Sequence, residues 1–154
     1  MKKLLIVLNA FLFLLFFSFS IRAEEPFKCA SPYEFLIEKD NDFTLYDGRI
    51  TLFLKSENEG FFVMSGKVQT KENHYLLSRV SYFSFAPMEI NHVKKATITK
   101  VIKYPIDTTP ENIWLADISP RPQKIDFPLE IWRLKDNLML VKYMDTGYLI
   151  CAKK

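Results

Sequence analysis

Residues 4–21 form one uncharged, apolar run that only Asn9, Ser18 and Ser20 interrupt. Beyond residue 25 the pattern changes to period-two alternation punctuated by turn residues, which predicts strands rather than amphipathic helices. Residues 33–37 read as an early strand. Asp47-Gly48, a strong turn dipeptide, predicts a strand start, after which Ile50, Leu52 and Leu54 alternate with Thr51, Phe53 and Lys55. Asn58-Glu59-Gly60 predicts a loop, residues 61–70 the second arm of a hairpin, and Gly66 within that arm a bulge or a close backbone approach. Lys71-Glu72-Asn73 turns the chain into residues 74–85, rich in aromatic and β-branched side chains, and Pro87 ends that strand because it donates no hydrogen bond to a ladder. A further strand is predicted over residues 93–104.

Between Pro105 and Pro128 the prolines at 110, 120 and 122 break any long element, and Thr109-Pro110-Glu111 is a candidate cap for a short helix running through Trp114. Three short strands follow, over residues 129–134, 138–144 and 148–153, separated by turns at Lys135-Asp136-Asn137 and Asp145-Thr146-Gly147. The chain is thus expected to be mainly β, an antiparallel meander of about eight strands forming a small barrel or sandwich, preceded by an N-terminal apolar helix.

That apolar run follows Met1-Lys2-Lys3, so the lysines stay cytoplasmic and all that follows the run is carried across the membrane. Two outcomes remain open. Ile21-Arg22-Ala23 is a tolerable cleavage site, which would leave a soluble periplasmic domain, yet a run of this length also fits the roughly 17–25 residues that span hydrocarbon. Residues 1–23 are therefore expected to be a signal peptide or membrane anchor, and residues 24–154 a periplasmic β-domain of single-domain size.

Charge narrows the choice of partners. Of the 21 basic residues, Lys2, Lys3 and Arg22 lie in the first 23, which leaves 18 against 18 acidic ones in the remainder. A neutral domain with interspersed signs has no basic field to hold nucleic acid, and none is expected as a partner. The chain contains two cysteines, Cys29 near the start of the domain and Cys151 near its end. In an oxidising compartment they are expected to pair, which requires the first and last strands to be neighbours.

Chemistry-bearing motifs are few. His74 and His92 lack metal-ligand spacing, no nucleophile or nucleotide-binding pattern occurs, and Asp40/Asp42 and Glu57/Glu59 lie in turn-like stretches where solvated charge is the ordinary explanation. An enzyme is not expected, and neither is a metal or cofactor. Aromatic residues make up 15% of the chain. They are either core and ordinary surface, or, at Phe61, Phe62, Tyr82, Phe83, Phe85, Trp114 and Trp132, the lining of an apolar cavity or a partner surface. Tyr82 and Phe83 are adjacent on a strand, so both cannot face inward.

The order of several short motifs carries a resemblance. The lysine-led apolar leader, Phe27-Lys28-Cys29, Asp47-Gly48-Arg49-Ile50-Thr51-Leu52, Glu59-Gly60 followed by Ser65-Gly66-Lys67-Val68, Ser78-Arg79-Val80-Ser81-Tyr82-Phe83, residues 99–107 and Leu149-Ile150-Cys151 together resemble the FidL-like membrane proteins of enterobacteria. That group is similar to the ToxS-type periplasmic partners of membrane-spanning winged-helix transcription regulators. The resemblance implies a non-enzymatic accessory that docks on a membrane-bound regulator, stabilises it, and creates or gates a cavity for a small apolar ligand at the joint surface of the two proteins. The rival expectation is a free periplasmic carrier with a lipocalin-like barrel.

Overall fold

The computed structural model describes residues 26–88, 90, 92–119, 121–143 and 147–153, together with Asn9, Phe11 and Phe13. The expected leader and its apolar helix lie outside the described residues except at those three helical positions. Among the described residues no helix is long and apolar enough to cross a membrane.

Eight antiparallel strands follow one another around a closed barrel. They are β1 (Phe27–Glu38), β2 (Phe43–Leu54), β3 (Glu59–Thr70), β4 (His74–Pro87), β5 (Val93–Lys103), β6 (Asp126–Lys135), β7 (Leu138–Tyr143) and β8 (Gly147–Lys153). The expected meander is present, and it closes as a barrel rather than a sandwich. Closure is uneven: β1 and β2 share 12 paired positions, whereas among the described residues β1 meets β8 at Cys29↔Lys153 and Ala30↔Ala152. A disulfide joins Cys29 to Cys151 beside this short seam, with Cα atoms 5.3 Å apart.

Four expectations about local structure change. Asp47-Gly48 is not a turn but the middle of β2, and the early strand is longer than residues 33–37. Gly48 pairs with Gly66 on β3, and a side chain on either would run into the backbone of the other strand. The glycines therefore serve close approach, the second of the two readings of Gly66, and the space inside the bend takes the ring of Tyr46. Its hydroxyl lies 3.2 Å from the carbonyls of both Arg49 and Ser65. A Gly66→Ala variant is expected to lose roughly 1–3 kcal/mol through forced backbone shifts, read as a lower urea midpoint with an unchanged slope. The bulge lies instead between β4 and β5, where Tyr82 pairs with Lys100 and Phe83 with Ile98.

Gly60 likewise belongs to β3 rather than to the expected loop, buried where a side chain would strike the Phe83 ring. Thr109 does not cap the short helix. Its hydroxyl donates to the Leu76 carbonyl at 3.0 Å, and Pro110 occupies the cap position with no side-chain bond.

Two packed clusters fill the barrel. The first contains Phe27, Leu52, Phe83, Phe85, Ala96, Ile98, Phe127 and the disulfide; the second contains Tyr46, Met64, Val68, Leu77, Trp114 and Ile118. The connection from β5 to β6 supplies the last two residues. It carries a helical turn, α1 (Glu111–Ile113), that runs into one π-helical turn (Trp114–Ile118).

Candidate functional site

Inside an eight-stranded barrel the lumen is just wide enough either to be filled by side chains or to hold one small ligand. Here part of it is left open. A cavity of about 460 Å³ takes its walls from both clusters, with Leu52, Phe83, Ala96, Phe127 and Val141 from one and Met64 and Ile118 from the other. Tyr33, Phe35 and Ile37 of β1 line one flank, and Tyr143, Gly147, Tyr148 and Leu149 line the opposite one. Continuing the β1–β8 register would set Tyr33 opposite Leu149 and Phe35 opposite Gly147, but pairing stops at Ala30. The cavity thus adjoins the part of the seam where the two strands no longer hydrogen-bond. Its volume falls within the roughly 300–1,000 Å³ typical of small-molecule sites.

The lining is apolar apart from a few groups. Burial pushes the Tyr33 and Tyr143 phenols above their ordinary range, so both present protonated hydroxyls at neutral pH. Among the described lining residues Asp117 alone is charged, and its side chain is almost fully covered. Its Oδ2 accepts from Lys39 Nζ at 2.8 Å and from the buried Thr44 hydroxyl at 2.6 Å, so the carboxylate is balanced where it stands. A neutral, apolar occupant suits these walls; an ion inside them would lose its hydration without gaining an unpaired partner.

Asp117 reaches the cavity because the preceding segment is clamped. Arg79 is buried on β4, and its guanidinium donates Nε to Asp107 Oδ2 at 3.0 Å, Nη1 to Glu111 Oε2 at 2.7 Å and Nη2 to the Thr109 carbonyl at 2.9 Å. The same group lies 4.7 Å from the centre of the Trp114 ring. Asp107, wholly buried, also accepts the backbone N–H groups of Ser78 and Thr109. These contacts hold Trp114 in the second cluster, and the wider π turn closed by Ser119 N–H on the Trp114 carbonyl at 2.7 Å brings Asp117 and Ile118 to the cavity.

The aromatic candidates separate into different places. Phe62 and Phe83 line the cavity, and Phe85 packs against Phe83 with ring centres 4.7 Å apart. Phe61 and Tyr82 are on the outer face, in a cross-strand row with Phe53 whose successive ring centres lie 4.4 and 5.5 Å apart. Trp114 is buried under Arg79, and Trp132 is partly exposed, stacked on His92 at 4.1 Å. His92 itself is in the β4–β5 connection with a positive φ of 68°, not on a strand face.

Sequence reasoning passed over Tyr33, Phe35, Met64, Phe127 and Asp117. The inward parity of each strand could have found the first four, whereas nothing in the proline-broken stretch marks Asp117. Among the described residues no group of three or more His, Cys, Asp or Glu could hold a metal ion.

A family model described as FidL-like putative membrane protein matches residues 66–151, from the middle of β3 to the disulfide cysteine of β8. No curated protein matches the chain.

Proposed function

The chain belongs to the FidL-like family, and on that premise we propose that it is an exported, non-enzymatic accessory protein. Its barrel takes up a small apolar molecule and engages the periplasmic domain of an inner-membrane transcription regulator. The observation that carries this reading is the apolar cavity of about 460 Å³ beside the unpaired stretch of the β1–β8 seam. Such a site combines a ligand with a partner: an occupant that spreads or closes the seam changes the strand edges a neighbouring domain would meet. The disulfide fits an oxidising compartment outside the cytoplasm. Tethering to the same membrane as the regulator would raise the effective concentration of the pair, and binding only the folded regulator would stabilise it by mass action.

The test has two arms. Native mass spectrometry of the full chain extracted from cell envelopes is expected to show a bound apolar compound. A Val141→Trp variant, which fills the cavity from β7, should lose at least tenfold in occupancy. In a strain deleted for the protein, the level or output of a membrane-bound regulator is expected to fall. An empty barrel together with an unaffected regulator would contradict the proposal. A second reading, a free carrier, draws on the fact that one chain supplies all the cavity walls described above; a bound compound without any protein partner would favour it.

A further inference from the structure

Both ends of the barrel expose large apolar side chains, Leu36, Leu76, Leu115 and Tyr148 toward the β1–β2 turn and a second group at the end where β1 begins. At the end where β1 begins lie the β2–β3 turn with Glu57, the β4–β5 connection, the β6–β7 turn with Asp136 and the last residues of β8. Four large apolar side chains are exposed there: Met88 (44%) and Ile90 (66%) from the β4–β5 connection, and Trp132 (39%) and Leu134 (49%) from the end of β6. These two segments are fastened to each other, by Ile131 N–H donating to the His92 carbonyl at 2.8 Å and by the His92–Trp132 stack. Lys28, Lys135 and Lys153 belong to the same end of the barrel. Exposed apolar groups from two tied segments favour a cover other than water, and since both ends expose such groups, the point at which the chain enters the barrel decides which end is covered.

Chain length says what covers them. The apolar run ends at residue 21, and only residues 22–25 separate it from Pro26, where the barrel begins at this same end. A few residues reach at most about 3.5 Å each, or roughly 20 Å in all. With the run held in hydrocarbon, this end of the barrel lies within headgroup distance of the lipid.

From this we infer that the β1-start end of the barrel rests on the outer leaflet of the inner membrane, with Met88, Ile90, Trp132 and Leu134 inserted into the lipid interface. The inference rests on the reading above in which the apolar run remains as an anchor. Trp at the hydrocarbon boundary and lysines reaching back to the headgroups are the arrangement such an interface favours. The opposite end, where the β1–β2 turn, the π turn and Asp117 lie, then points away from the lipid. That leaves Asp117 and the cavity-lining residues Ile37, Tyr143 and Gly147 on the aqueous side, where the soluble domain of a regulator would stand.

Because the chain contains two tryptophans, fluorescence quenching tests this directly. The full chain is reconstituted into phosphatidylethanolamine–phosphatidylglycerol vesicles with or without brominated acyl chains, which quench only nearby indoles. Trp114, 1% exposed in the second cluster, serves as the internal reference. Quenching of the native protein is expected to be at least twice that of Trp132→Phe, in which only Trp114 emits. A double variant, Ile90→Glu with Leu134→Glu, should reduce the quenching of Trp132 by half or more; if it does not fold, the comparison with Trp132→Phe still decides. Equal quenching of the native protein and Trp132→Phe would overturn the inference, whether because another protein covers this end or because it stays in water. Full chain that is clipped and remains in the supernatant would overturn it too. A barrel that holds its apolar ligand yet shows no lipid quenching would remove this inference alone and leave the proposed function standing.

Discussion

Replacing Arg79 with methionine is expected to destabilise the barrel by about 3–5 kcal/mol, the range for breaking a buried ion pair by removal of one partner. Arg79 and Asp107 are both almost fully buried, at 1% and 0% side-chain exposure. Methionine fills much of the arginine volume, so the dominant loss is electrostatic: Asp107 would remain in the interior with its main counter-charge gone. Lys103 Nζ, 3.6 Å from Asp107 Oδ1 and half exposed, offsets little of this. Glu111, the outer partner, is 63% exposed and its share of the network is small. Lysine at position 79 should rescue only in part, since one ammonium cannot reach Asp107, the Thr109 carbonyl and Glu111 together. A double variant, Arg79→Met with Asp107→Asn, should be less harmful than the sum of the singles, because the second change removes the stranded charge. Urea unfolding followed by near-ultraviolet circular dichroism reports the result, since Trp114 packs against the guanidinium. A loss below about 1 kcal/mol would mean that water reaches the pair and that it behaves like a surface salt bridge.

Turn punctuation and the density of β-branched and aromatic residues made most of the fold legible, since β3, β4, β7 and β8 begin and end at or within two residues of the expected positions. Where they misled, tertiary contact overrode a local signal. Asp47-Gly48 has the composition of a hairpin turn, yet Gly48 is needed where β2 and β3 approach each other at Gly66. Thr109 has the composition of a cap, but its hydroxyl finds the Leu76 carbonyl instead. The disulfide was readable because two cysteines placed at opposite ends of a domain expected to be exported leave one pairing.

The site was less legible for a physical reason. A filled barrel and a partly hollow one present the same inward hydrophobic residues; what distinguishes them is the summed volume of those residues against the lumen, which periodicity does not report. Phe62 and Phe83 came to light as aromatics, while Tyr33, Phe35 and Phe127, equally aromatic, went unnoticed as ordinary core. Asp117 depends on a clamp assembled from Arg79, Asp107 and Thr109, residues 28–30 positions apart across the Arg79 contacts, and no local pattern encodes that.

Converting both cysteines to serine should have the other large effect. The bridge spans 122 residues, and the chain-entropy account assigns a loop of that length about 5 kcal/mol. That is the scale of a small domain's entire stability, roughly 5–15 kcal/mol. Location adds to it: among the described residues the β1–β8 seam holds two paired positions, so without the bridge little else keeps the barrel closed there. The Cys29→Ser/Cys151→Ser protein, or the native protein in reductant, is therefore expected to open at the seam before it unfolds globally. Hydrogen exchange would then quicken first in β1 and β8, while the amides of β3 and β4, paired with neighbours on both sides, keep their protection until the global transition. Uniform loss of protection around the barrel would place the stabilisation wholly in the unfolded chain and separate it from the seam. Seam-first opening has a consequence for the cavity, since Tyr33, Phe35 and Leu149 line it at the strands that would part. The bridge would then hold the cavity shut as well as hold the barrel together, and an apolar occupant should leave the reduced protein faster than the oxidised one.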